Sequence, residues 1–385
     1  MKSTLKQLVL IFFLMSAFMA ANAVGATYKW VGTTSTDYQV PTNWSPARTT
    51  PDATDSIVFT PSAAAGITIT NVKAETIASL AVVGTGSVTM TGGINSLVIV
   101  SYLRINSGNT LDVRTLKLSG GTFTSIGEGV LKVANVVPLP NRKKWSFDIV
   151  LNGTKTQSLS GGTYNNVTID NSTNIGSIAV FVGGGDVTIT GKLTLTRGML
   201  AFNNSIDGRT GTLRTLYMNP GSTIEGGSSA SYILAVGSFV RRGVGSNELV
   251  YPVGTANGYT PLTIKNTSAV NPNITVIVKP KLTNAPIDST KIVNLEWSVK
   301  SSTGNTTADI TFQFNSTDFA KAYNAGAASF LGNFKTEYTV APVGTSNGSN
   351  PYTVTAKGLS IPSFGNNFYV IGNKSALPSA ASSAK

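Results

Sequence analysis

The run Val187-Thr188-Ile189-Thr190-Gly191-Lys192-Leu193-Thr194-Leu195-Thr196-Arg197-Gly198 decides the fold class. Apolar residues alternate with Thr, Lys or Arg at a period of two, so each short strand turns one face to a core and the other to water. Gly191 interrupts the run and Gly198 closes it, as tight turns require.

The same pattern returns elsewhere. Leu103-Arg104-Ile105-Asn106-Ser107-Gly108 is echoed by Leu193-Thr194-Leu195-Thr196-Arg197-Gly198, and a leucine follows each, at Leu111 and Leu200. Leu116-Lys117-Leu118 with Gly120-Gly121-Thr122-Phe123 is echoed by Leu216-Tyr217-Met218 with Gly221-Ser222-Thr223-Ile224. The unit is two inward apolar residues, a glycine turn and another short strand. Strands this short bury a face only by stacking coil upon coil, and each backbone N–H and C=O then pairs with the coil above or below. Residues 63–232 are therefore expected to form a right-handed parallel β-solenoid (β-helix), with roughly 20–25 residues per coil and about seven coils at ~4.8 Å each.

The flanks read differently. Residues 24–62 carry Trp30, Trp44, several prolines and Asp55 ahead of Val58-Phe59, and are expected to be an N-terminal cap. The tryptophans fit either a glycan-stacking platform or the apolar plug of an open solenoid end. In mid-chain, Pro138 and Pro140 suggest a break between two solenoid segments. They precede Arg142-Lys143-Lys144 beside Trp145, which is either a polyanion contact or a solvated connector. Trp30, Trp44, Arg142, Lys143 and Lys144 are the candidate glycan or polyanion contacts.

From residue 233 to 373 the repeat stops and the strands lengthen, over 232–240, 249–252, 262–266, 274–280, 292–300, 308–314, 335–340, 352–356 and 368–371. This suits an antiparallel immunoglobulin-like β-sandwich with Trp297, Phe364, Phe368 and Tyr369 in its core. The Ala-rich segment 318–329 is the one place where a helical turn or two is expected. Residues 374–385, rich in Ser and Ala, read as a disordered tail.

Composition narrows the chemistry. The 385 residues include no cysteine and no histidine, and 12% are charged. That excludes disulfides, thiolate nucleophiles, zinc–thiolate and iron–sulfur sites, Ser-His-Asp triads and imidazole ligands. No cofactor is expected. Roughly one residue in eight is Thr, a strand-favouring type, and Gly numbers 39.

Residues 1–23 read as a secretory signal: Lys2 and Lys6, an apolar stretch over 8–20, then Ala21-Asn22-Ala23 for cleavage, with Ala26 as second choice. No later apolar stretch approaches the roughly 18 residues needed to span a bilayer, and without cysteine no lipoprotein anchor is expected. Removing Lys2 and Lys6 takes the net charge from +12 to +10. Such a balance keeps a secreted chain soluble and favours polyanionic neighbours such as acidic polysaccharide. No specific nucleic-acid partner is expected. There is no Walker loop, and the glycine clusters precede strands rather than helices.

Three stretches together resemble large secreted surface proteins of Bacteroidota-type bacteria. Trp30-Val31-Gly32, Asn43-Trp44-Ser45-Pro46, Pro51 and Asp55-Ser56-Ile57-Val58-Phe59 are similar to the opening of those proteins. Thr156-Gln157-Ser158-Leu159-Ser160-Gly161-Gly162, Tyr164-Asn165-Asn166-Val167-Thr168-Ile169 and Val187 to Leu195 resemble their β-helical rungs. Tyr251-Pro252-Val253-Gly254, Tyr259-Thr260-Pro261-Leu262, Val293-Asn294-Leu295-Glu296-Trp297 and residues 364–372 are similar to the sandwich that follows. The resemblance implies an exported adhesive or structural protein on the outside of a Gram-negative outer membrane, with no shared catalytic residues. Such proteins often end in a sorting domain. None is evident within the dozen or so residues after Gly372, so release and assembly with partners stand beside surface attachment as expectations.

Two other classes of function stay in view. Self-assembly into an extracellular filament or sheath would use solenoid ends and sheet edges as templates. A polysaccharide-active β-helix enzyme would need carboxylates aligned on one face. The acidic residues between 63 and 232 are Glu75, Asp112, Glu128, Asp148, Asp170, Asp186, Asp207 and Glu225, all well apart in sequence. Stacking could still align Asp170 with Asp186. Gly183-Gly184-Gly185-Asp186 resembles one copy of a calcium-binding nonapeptide, but such sites need tandem copies, and a simple turn is the expectation. Asn-x-Ser/Thr sequons at Asn152, Asn166, Asn171, Asn266 and Asn315 are ordinary for an Asn- and Thr-rich chain. Asp55-Ser56-Ile57 and Asp288-Ser289-Thr290 are similar to short bacterial O-glycosylation sites.

Overall fold

The computed structural model describes residues 25–377, except 33, 94–95, 122, 142, 174–176, 203–213, 235–236, 281, 283–287, 305, 335–337 and 364–367. The expected signal segment, Arg142, Asp207, Phe364 and the tail from 378 lie outside the described residues. The chain is all-β, 55% strand and 3% helix, with a β-solenoid of about eight turns. It divides into two compact units, Met1–Gly129 and Val130–Lys385. No helix among the described residues is long and apolar enough to cross a membrane.

In the first unit, strands Thr27–Trp30, Ser56–Phe59, Glu75–Val82, Ser96–Ile105 and Thr124–Ile126 pair in parallel, each on the next. A second parallel sheet stacks Ile67–Ile69, Ser87–Met90 and Thr110–Asp112. Register puts Ile57, Leu80 and Leu103 in one column, each fully buried. The coil length is written in the side-chain ladders. Ser79 Oγ donates to Ser56 Oγ at 2.9 Å, 23 residues back, and Ser96 and Ser119 repeat that separation at 2.6 Å. Gly108 and Gly198, the turn glycines of the sequence echo, both hold positive φ, 77° and 89°, a region closed to most side chains.

In the second unit, Val130–Val133, Asp148–Leu151, Val167–Asp170, Lys192–Arg197 and Thr223–Gly226 form one parallel stack. Leu131, Ile149, Val167 and Leu193 are its buried column. Each such side chain taken from water contributes about 1.5–3 kcal/mol. Another parallel sheet runs from Lys143–Lys144 to Gln157–Tyr164 and Ile178–Ile189, and the last of these carries both Met199–Ala201 and Thr215–Met218. Parallel pairing continues beyond residue 232. Ile233–Leu234 pairs with Met199–Ala201 and with Val253–Thr255.

Strand Ser238–Arg241 changes the direction of pairing. It lies parallel to Thr215–Met218 on one side and antiparallel to Ile274–Lys279 on the other. From there the order is antiparallel through Glu296–Ser301, Phe368–Asn373, Ala328–Phe334 and Tyr338–Thr345. A separate antiparallel sheet joins Glu248–Tyr251, Leu262–Asn266, Thr306–Phe314 and Tyr352–Ile361. Trp297 from the first sheet meets Phe312 of the second edge-on at 5.2 Å, and Phe312 meets Tyr369 at 5.8 Å.

Two local expectations change. The expected helical segment 318–329 runs into a strand at its end: Ala328 and Ser329 open Ala328–Phe334, whose Ser329 to Phe334 pair along Phe368–Asn373. The turn that does form is the 3-10 segment Ser316–Asp318, closed by a capping box between Asn315 and Asp318. Within the expected disordered tail, Ala376 and Leu377 are buried with Ile292 and Val370, an apolar anchor that composition alone hides.

Candidate functional site

The second unit carries a groove of about 430 Å³, lined by Lys144, Gly161, Gly162, Thr163, Gly185, Asp186 and Thr188. It lies across three successive strands of one parallel sheet. Lys144 faces Thr163 in register, and Thr163 faces Thr188. Outward residues of neighbouring coils therefore form a column of one ammonium and two hydroxyls, at the strand spacing of about 4.8 Å. Next to that column stands Asp186, exposed, its Oδ1 accepting from the Thr215 amide at 2.9 Å.

Glycine makes the groove. A Cβ on Gly161 would sit 2.6 Å from the Gly185 Cα, with no flexible atom to yield. The backbones thus touch where two side chains would otherwise stand, and the register shifts between Ser160 and Gly162. The local expectation of a turn at Gly183-Gly184-Gly185-Asp186 is replaced by strand Ile178–Ile189, since bare backbone lets the two strands close together.

The floor is firm. Tyr164 is fully buried, donates to the Ser160 carbonyl at 2.6 Å and stacks with Trp145 at 6.4 Å. Trp145 also meets Phe147 at 5.6 Å. Burial raises the Tyr164 hydroxyl far above its ordinary value, so it stays a donor. Ser160 Oγ donates to the Leu139 carbonyl at 2.7 Å and fastens the preceding connector to the sheet.

The sequence candidates are distributed as follows. Lys144 lies in the groove and is exposed. The Lys143 backbone belongs to the same short strand, paired with Gly162. Trp30 and Trp44 are buried, so neither offers an open ring face for stacking. They meet edge-on at 4.9 Å, and Trp44 Nε1 donates to the Tyr38 carbonyl at 3.0 Å. Beside them Arg48 donates to Asp55 at 2.9 Å and to Glu75 at 3.2 Å in a buried ion network. Tyr38 donates to Glu75 in the same network.

Asp170 and Asp186 fall on different sheets, in Val167–Asp170 and Ile178–Ile189. Asp170 is occupied by Arg197 at 2.7 Å. The alignment of these two carboxylates that a polysaccharide-active enzyme would need is therefore not formed. Among the described residues no cluster of three or more metal-ligating side chains occurs. The groove's hydroxyls, Thr163 and Thr188, escape sequence inspection. They are ordinary members of a period-two pattern, and only register shows that they share a column with Lys144.

Comparisons with protein-family models, with curated proteins and with solved structures found no match.

Proposed function

We propose that this chain is an exported structural and adhesive protein that holds a polymeric glycan in the groove without cleaving it. The observation that carries the reading is the glycine-floored groove itself. A rigid, backbone-lined trough with Lys144, Asp186, Thr163 and Thr188 offers fixed donors and acceptors, and polar groups on a preorganised scaffold suit sugar hydroxyls. The net charge of +10 left after removal of Lys2 and Lys6 would draw acidic polysaccharides and other surface polymers toward it. The signal-like residues 1–23 support export, and the Bacteroidota-type resemblance supports a place outside a Gram-negative outer membrane.

In this reading the solenoid is right-handed and serves as a stiff spacer. The buried pair Trp30 and Trp44 supports a cap role for residues 24–62. The antiparallel sheets beyond Arg241 serve as an immunoglobulin-like sandwich. The test is calorimetric titration of the chain lacking residues 1–23 with neutral and acidic polysaccharides. Replacing Lys144 by Ala together with Asp186 by Asn is expected to weaken binding at least tenfold without lowering the melting temperature. Unchanged affinity, or shortened glycan products from the unaltered protein, overturns the proposal.

Self-association is the second reading. Glu248–Tyr251 is an edge strand of its sheet, and its Val250 side chain is 49% exposed, a template for strand addition. Electron microscopy separates the two: ordered polymers favour assembly, and monomers that still bind glycan remove it.

A further inference from the structure

We infer that the glycan runs along the stack of coils, from Lys144 to a second anionic subsite at Arg242, and that its class is an extended uronic-acid polysaccharide; this rests on the groove reading above. The column does not stop at Thr188. Thr188 faces Tyr217 in register on the following strand. Against the Tyr217 ring lies the Arg242 guanidinium, 3.9 Å from its centroid. Arg242 Nη1 also donates to Asn219 Oδ1 at 3.1 Å.

Ring and amide together fix a planar cation in one orientation. Arg242 is half-buried, and no carboxylate pairs with it among the described residues. A guanidinium held this way keeps N–H groups in the fork geometry that suits a carboxylate, at a lower entropic cost than a free arginine. Three strand steps separate Lys144 from Tyr217, roughly 14 Å at the usual strand spacing. A single sugar cannot reach both ends, whereas an oligomer can. Its carboxylates would meet Lys144 and Arg242, and its hydroxyls would meet Thr163, Thr188 and Asp186 between them.

The test compares oligogalacturonates of two to eight units with neutral oligosaccharides of equal length, using calorimetry on the full chain. Arg242→Gln is expected to weaken binding of the longer acidic oligomers about tenfold and to leave neutral oligomers and acidic dimers unchanged. Arg242→Lys is expected to restore only part of the loss, since an ammonium lacks the planar fork. Melting temperature and near-ultraviolet circular dichroism monitor folding in each variant. Equal affinity of Arg242→Gln and the unaltered chain for long acidic oligomers overturns this inference while leaving the groove intact. An equal loss for neutral and acidic oligomers also overturns it. Loss of the inference and of the groove reading together would show as no effect from either Arg242→Gln or the Lys144 and Asp186 replacements.

Discussion

Asn171 Nδ2 donates to Gln157 Oε1 across 2.9 Å, and both side chains are fully buried inside the second unit. The pair closes a small network. Gln157 Nε2 donates to the carbonyls of Val133 and Asn135, and its Oε1 also accepts from the Gly153 amide. Asn171 Nδ2 also reaches the Lys155 carbonyl. The two amides thus tie together backbone groups of Val133, Asn135, Gly153 and Lys155 from neighbouring coils.

Gln157→Leu should therefore destabilise more than its shape suggests, by about 2–4 kcal/mol, because it leaves buried donors and acceptors unpaired. A double-mutant cycle with Asn171→Ala should give a coupling of about 0.5–3 kcal/mol. Urea unfolding of the four proteins measures it, and simple additivity would show that the amides act separately.

Gly161 and Gly185 face each other but should respond differently to a methyl group. The Cβ of Gly161→Ala meets backbone at 2.6 Å, whereas that of Gly185→Ala meets the Gly161 Cα at an ordinary 3.5 Å. The first replacement should lower the melting temperature and spread the groove. The second should keep the melting temperature and weaken glycan binding by filling part of the groove. Equal thermal stability of both variants would contradict the close approach.

Arg48 is buried between Asp55 and Glu75. Arg48→Ala leaves the Asp55 carboxylate without its cation in the interior, and breaking such a pair costs about 3–5 kcal/mol. Arg48→Lys should recover part of this, because one ammonium cannot reproduce the forked contact with both acids. Hydrogen exchange should show the loss concentrated in strands Ser56–Phe59 and Glu75–Val82.

Stability should be nearly flat from about pH 6 to 9, where a chain without histidine and cysteine has few groups that titrate. Above that range it should fall. Burial raises the hydroxyls of Tyr38, Tyr164 and Tyr251 above the ordinary 10.0, with the Glu75 charge adding to the effect at Tyr38. The unfolded chain releases these protons near pH 10 while the folded chain keeps them. The stabilisation is therefore present below pH 10 and is lost as pH rises toward the raised native values, by about 1.4 kcal/mol per pH unit for each tyrosine so held. Urea midpoints at pH 8, 10 and 11 check the sign; a midpoint that rises with pH would refute it.

The period of two at Val187 to Thr196 was enough to read a stacked β architecture, because alternation dictates which side chains enter the core. The paired echoes were legible for the same reason. Leu103 and Leu193 are both inward, and both echoes end on a positive-φ glycine. Lateral register was not legible. Nothing local says that Lys144, Thr163, Thr188 and Tyr217 share one column, since intervals between coils vary with loop length. The Asn166 side chain meets the Lys192 amide 26 residues on, whereas the serine ladders of the first unit keep 23. Arg48 also went unread, because its partners lie at Asp55 and Glu75 and meet it only after folding. The start of Ala328–Phe334 was hidden by the alanine-rich run before it, Ala320 to Ala327.

Strand Ser238–Arg241 is shared property, paired parallel on one side and antiparallel on the other. The stacked coils and the antiparallel sheets of the second unit consequently have no seam between them. Cutting the chain on either side of this strand would bare a row of amides on both fragments, and each would seek a substitute neighbour. Anyone wishing to shorten the solenoid must remove whole coils from within the stack and leave this junction whole.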